Sequence, residues 1–211
     1  MFKTTNNRFL MILFFGAAWG LIEATLGHCL HVFKMFVPLP LTGLVMFPAG
    51  FYFMMRAFKE TGSTASIALT GCVAATIKMT DLFLPAVPPE FVVHPALAIL
   101  LESAGCYIYF KSFKPVTPGG SFAAGTAVSF LWRTAFVAGL LLFPVFPGIA
   151  SEGTRALAVF LLAESVVNGI MIASIVRLDH RGYSLYGRLA FHPAVAPALF
   201  AVAAASQIFL K

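Results

Sequence analysis

The sequence predicts an all-α membrane protein, a single integral domain over residues 1–211 built as a bundle of about six to seven transmembrane helices. Three observations carry this. Hydrophobic residues make up 60% of the chain and charged residues only 10%, against about 45–50% and about 25% in soluble domains. Apolar runs near the ~20 residues that a ~30 Å hydrocarbon core demands recur from Phe9 to Leu210. The alternating ten-residue pattern of a transmembrane barrel is missing.

Seven apolar segments follow in order: residues 9–32, 41–58, 64–84, 93–110, 122–143, 154–176 and 189–210. The first begins after Lys3 and Arg8, as a signal peptide would. It runs on to Val32, beyond the ~7–15 residues of a signal core, and reads as an uncleaved first span. The second is the shortest and carries Pro48, which predicts a kink or tilt. The seventh carries Pro193 and Pro197 near its start and is rich in alanine.

Orientation follows from lysine and arginine placement. With a cytoplasmic N-terminus, Lys3, Arg8, Arg56, Lys59, Lys111, Lys114, Arg177, Arg181 and Arg188 lie inside, and only Lys34, Arg155 and Lys211 lie outside. This predicts residence in a cell membrane, of the bacterial or archaeal inner-membrane type. The outer connections are proline-rich: Val37–Pro40, Pro85–Pro89 and Pro144–Pro147. They read either as stiff covers over a cavity or as plain helix terminators.

The chain also resembles itself. From Gly62 it gives a Gly-Ser start, a helix with Lys78, a proline-rich loop and ALAILLES; from Gly120 it gives a Gly-Ser start, a helix with Arg133, a proline-rich loop and ALAVFLLAES. This predicts a parallel repeat of helix pairs over 62–110 and 120–176, one of the ways transporters are built.

The most informative feature is a set of glutamates in apolar surroundings. LIEATLG, LLESAG and LLAESVVNG place Glu23, Glu102 and Glu164 each within an apolar run and followed by small residues. An ionisable group inside a membrane-length helix is costly and marks a candidate site. Residue counts along each helix put Glu23, Lys78, Asp81, Glu102, Arg133 and Glu164 in one layer roughly 10–15 Å below the outer surface at 1.5 Å per residue. Helical spacing sets Gly16, Gly20, Glu23, Gly27 and His31 on one face of segment 1, and His94, Ala98, Glu102, Gly105 and Tyr109 on one face of segment 4. Thr126, Ser129 and Arg133 share a face of segment 5, and Asn168 follows Glu164 by one turn. Small residues beside each acid allow close helix approach.

Pairing of glutamates with Lys78 and Arg133 is the structural reading. Four carboxylates face two bases, so pairing leaves carboxylates over. The functional reading is a pocket open to the outside, its ligand-binding residues drawn from Glu23, Lys78, Asp81, Glu102, Arg133, Glu164, Asn168, His28 and His94.

Other chemistries find little support. Basic residues stand singly, without aromatic interleaving, which excludes a nucleic-acid platform. Cys29, Cys72 and Cys106 form no CxxC and read as packing residues. His28-x-x-His31 is not a facing i, i+4 pair and HExxH is absent, so neither metal nor haem is expected. No GxSxG and no P-loop occurs.

A small polytopic chain with a proline-rich loop after its first span and no ATPase motif resembles the substrate-binding S components of energy-coupling-factor transporters. The segment Pro38–Gly50 (PLPLTGLVMFPAG) looks like the loop and second-helix start of that family, and Gly16-x-x-x-Gly20 looks like its small-residue docking motif. The resemblance covers about the first 100 residues. It departs in having seven segments where the family has six, and in the density of charge. It implies that Gly16 and Gly20 dock a transmembrane coupling subunit, which works with two cytoplasmic ATPases. The expected activity is binding or transport of a small vitamin-like, cationic or polar solute. An integral enzyme using the glutamates on a lipid-like substrate, and a structural subunit of a larger complex, are the alternatives.

Overall fold

The computed structural model describes residues 5–34, 41–85, 87–112, 118–143, 148–179 and 192–209. Among these residues the secondary structure is entirely helical. Helix α1 (Thr5–Ile22) passes through a π-helical turn (Glu23–Gly27) into α2 (His28–Lys34). Next come α3 (Leu41–Thr61) and α4 (Ala65–Met79), the latter closed by a 3-10 turn over Thr80–Phe83. Helices α5 (Glu90–Ser112) and α6 (Pro118–Leu142) follow. A long helix then begins as α7 (Thr154–Ala158), widens into a second π turn (Val159–Ala163) and continues as α8 (Glu164–Asp179). The last is α9 (Val195–Phe209).

Five stretches among the described residues are long and apolar enough to cross a membrane: Asn7–Leu30, Ala65–Phe83, Glu90–Ser112, Gly120–Leu142 and Thr154–Asp179. Helix α3 has 21 residues and carries Arg56, Lys59 and Glu60 in its last turns. The seventh segment, expected from residue 189, is helical from Val195, with 15 residues in the helix. Residues 180–191 lie outside the described residues. So do the proline-rich stretches 37–40 and 144–147, the basic residues Lys114, Arg181 and Arg188, and the side chain of His31.

The packing order is simple. Helix α4 lies on α5 and α6 lies on α8, making two hairpins from the two stretches of similar sequence; α5 and α6 join them. Helix α3 fills the middle, touching α1, α4, α5 and α8, and α9 packs against α1. Small residues set the close approaches, as in membrane helix pairs where apolar burial alone gives no drive. A Cβ on Gly16 would lie 2.5 Å from Val73 Cβ, and one on Gly20 would lie 2.6 Å from Ile77 Cδ1. Gly50 admits the Trp19 ring, and Gly71 admits Ser103. The Gly16/Gly20 stripe, expected to dock a partner subunit, is therefore buried against α4 within the chain itself.

The distribution of polarity is inverted relative to a soluble domain. Leu69, Leu100, Ile108, Leu131, Leu162 and Ile170 face outward, while Glu23, Arg56, Lys78, Asp81, Glu102, Arg133, Glu164, Asn168 and Gln207 are buried. That is the distribution expected of helices whose outer surface meets hydrocarbon.

Candidate functional site

The π turns position two of the three glutamates. Glu23 opens the turn in the first long helix, and Glu164 directly follows the turn in the α7–α8 helix. A π turn inserts one extra residue per hydrogen-bonded ring and so rotates everything beyond it around the helix axis; such turns recur at functional sites. Glu102 lies in the regular middle of α5.

Arg133 is fully buried on α6 and organises the centre. Its Nη2 donates to Glu164 Oε2 at 3.0 Å and to the Gly43 carbonyl at 3.2 Å, and its Nη1 donates to Ser129 Oγ. The amide of Asn168 is oriented by these neighbours. Its oxygen accepts from both Arg133 Nη atoms at 3.1 Å, and its nitrogen donates to the Leu44 carbonyl at 2.9 Å. The guanidinium also lies 4.5 Å from the Trp132 ring centre and 5.1 Å from that of Phe160, a cation–π geometry. Gly43 makes the approach possible: a Cβ there would lie 2.9 Å from Glu164 Oε2. The Arg133–Glu164 pair is thus bound in place by three helices.

Next to this network is a cavity of about 180 Å³. Glu23 and Glu102 line it, with Thr42, Gly43 and Met46 from α3, His94, Pro95, Ala98 and Ile99 from α5, and Trp132, Phe136 and Phe160. It sits toward the bundle end at which α2 leads to α3, α4 to α5 and α6 to α7. The Trp132, Phe136 and Phe160 rings form one wall, with centroids 6.0–6.4 Å apart, and His94 meets Phe136 edge-on at 5.9 Å. A water needs only about 10–15 Å³ of such space, so a small organic molecule fits.

Glu102 differs from the other buried acids. It is 5% exposed, and that exposure opens into the cavity. Among the described residues no ion pair or hydrogen bond holds its carboxylate. Its charged neighbours are Glu23 and Arg133. Arg133 is already engaged by Glu164.

Lys78 and Asp81 are elsewhere. Lys78 Nζ donates to Asp81 Oδ2 at 3.0 Å within the same helix end, and the Gln207 amide nitrogen of α9 donates to both Asp81 oxygens at 3.1 Å. The expected pairing of Lys78 with a glutamate is replaced by a local i, i+3 pair, because Asp81 lies one turn away and no long side-chain reach is needed. Neither residue lines the cavity. His28 is half-buried on α2 and does not line it either. Among the described residues no three His, Cys, Asp or Glu side chains converge as a metal-binding set.

The opposite bundle end carries a second ionic cluster. Arg56 Nη1 donates to Asp179 Oδ1 at 3.3 Å, Arg56 Nη2 donates to Glu60 Oε1 at 3.3 Å, and Lys59 also pairs with Asp179. It ties the end of α3 to the end of α8.

No protein-family model, curated protein or solved structure matches this chain. Its function is therefore read from the site itself. Sequence reasoning missed the share of α3 in that site: Thr42, Gly43 and Met46 carry no charge, and a glycine carbonyl gives no sequence signal. The aromatic wall was equally hidden among 23 phenylalanines.

Proposed function

We propose that this chain is a membrane-embedded solute-binding transport protein whose substrate enters the cavity between Glu23, Glu102 and the aromatic wall. The observation that carries the reading is Glu102, a buried carboxylate that faces an open cavity rather than a counter-ion among the described residues. A protein gains no stability from such a group, whereas a binding site gains an attractive charge in low dielectric. The fully tied Arg133–Glu164 pair is the contrast, since it holds helices together and offers little to a ligand.

In this reading the chain has seven spans, with the N-terminus in the cytoplasm and the cavity opening to the outside. The two hairpins are a parallel repeat with the site beside their junction. The resemblance to energy-coupling-factor S components supports the same role. It would bring in a coupling subunit and two ATPases, docked on a surface other than the Gly16/Gly20 stripe, since those glycines are buried against α4.

Thermal stabilisation in detergent tests the reading, with wild type and Glu102→Gln screened against vitamins, amines, organic acids and metal ions. A saturable rise in melting temperature for one solute class, lost in the variant, supports it. A wild type that no solute shifts contradicts it.

A further inference from the structure

We propose that the cavity selects a small organic ammonium ion carrying an apolar group, with Glu102 as the anion that receives it. This rests on the solute-binding reading and names its substrate class.

Four observations point to this chemistry. Among the described residues, those lining the cavity include two acids, Glu23 and Glu102, and no lysine or arginine. Glu102 is 5% exposed and has neither ion pair nor hydrogen bond among the described residues. The nearby guanidinium of Arg133 already donates to Glu164, Gly43, Ser129 and Asn168. Most of the remaining wall is apolar or aromatic, with Phe136 and His94 at one side.

Competing ligand classes fit less well. An organic anion would face two carboxylates with no lysine or arginine among the described residues of the wall, and like charge in low dielectric is strongly unfavourable. A bare metal ion needs several oxygen or nitrogen ligands at short range, whereas the wall is chiefly carbon. An ammonium group instead forms a charge-assisted hydrogen bond to Glu102 and tolerates aromatic faces, while its apolar tail meets Met46, Ile99 and Phe136. The cation also offsets the repulsion between the Glu102 and Glu23 carboxylates.

The experiment uses the full-length protein in lipid nanodiscs. Butylamine, benzylamine and choline are compared with benzyl alcohol, benzoate and calcium chloride, reading melting temperature and tryptophan fluorescence. The expected result is a saturable shift with at least one of the three ammonium probes and none with the others. Glu102→Gln should lower the affinity by about tenfold or more, the loss expected for a buried charge-assisted contact, while retaining a cooperative melt. Lys59→Ala, at the far end of the bundle and away from the cavity, should keep both the binding and the cooperative melt, which separates loss of site from loss of fold. A benzoate, benzyl alcohol or calcium shift equal to that of the amines overturns the ammonium class and leaves a solute site standing. An ammonium shift that survives undiminished in Glu102→Gln overturns the role of Glu102. No shift from any of the six probes overturns the ammonium proposal, and a further absence of response across the wider solute panel overturns the binding reading as well.

Discussion

The Arg133 guanidinium and the Glu164 carboxylate meet at 3.0 Å, both buried, on neighbouring helices α6 and α8. The Gly43 carbonyl completes the contact from α3. Removing one partner of a buried pair strands the other, and costs about 3–5 kcal/mol. Glu164→Gln is therefore expected to lower the melting temperature strongly, and Arg133→Gln to do the same. Melts of both variants and of the double variant check this. The double variant should lose less than the two singles combined, because the two groups stabilise each other.

Gly43 permits that pair to form. A Cβ there would intrude on Glu164 Oε2 at 2.9 Å and on Arg133 Nη2 at 3.4 Å. Gly43→Ala is expected to cost about 1–3 kcal/mol by forcing the pair apart. At Gly139, on α6, an added Cβ would meet nothing within 4 Å, so Gly139→Ala should be neutral or stabilise by up to about 1 kcal/mol. Side-by-side thermal melts distinguish a steric effect from a general intolerance of alanine.

Gly16 and Gly20 provide the sharpest contrast with the docking motif expected from sequence. Both face Val73 and Ile77 of α4. Gly16→Leu and Gly20→Leu should destabilise the isolated chain itself, with loss of helix packing and earlier aggregation on heating. If the stripe served only a partner, the isolated variants would melt like wild type.

At the far end of the bundle, Asp179 receives both Arg56 and Lys59. Arg56 is buried, while the Lys59 side chain is 41% exposed. Lys59→Ala should cost no more than about 1 kcal/mol, as exposed pairs do, and less at high salt. Asp179→Asn should cost more, because it weakens the hold on a buried arginine. Salt titration of both melts is the check.

Much of the architecture was legible in the sequence. Spans of apolar residues report burial in hydrocarbon directly, so each expected segment corresponds to a helix where residues are described. The stripe His94, Ala98 and Glu102 was legible because α5 is regular there, and a 3.6-residue period projects onto one face. On the first helix the stripe divides between two neighbours: Gly16 and Gly20 meet α4 while Glu23 lines the cavity. Partner choice was harder still. Lys78 pairs with Asp81, and Arg133 with Glu164, because helix rotation and neighbour order decide contacts that charge alone leaves open. Gly43, Met46 and Phe160 complete the site through shape and a backbone carbonyl, which leave no mark in composition.

On this account Glu102 is held for a ligand while Glu164 is held for the fold. The most direct measurement compares the ligand-free melting temperatures of Glu102→Gln and Glu164→Gln in the same detergent. Neutralising Glu164 is expected to lower the melting temperature sharply, and neutralising Glu102 to leave it unchanged or raise it, since the Glu102 carboxyl faces a cavity rather than a counter-ion among the described residues. A fall for Glu102→Gln as large as that for Glu164→Gln would contradict the account and return Glu102 to a structural role.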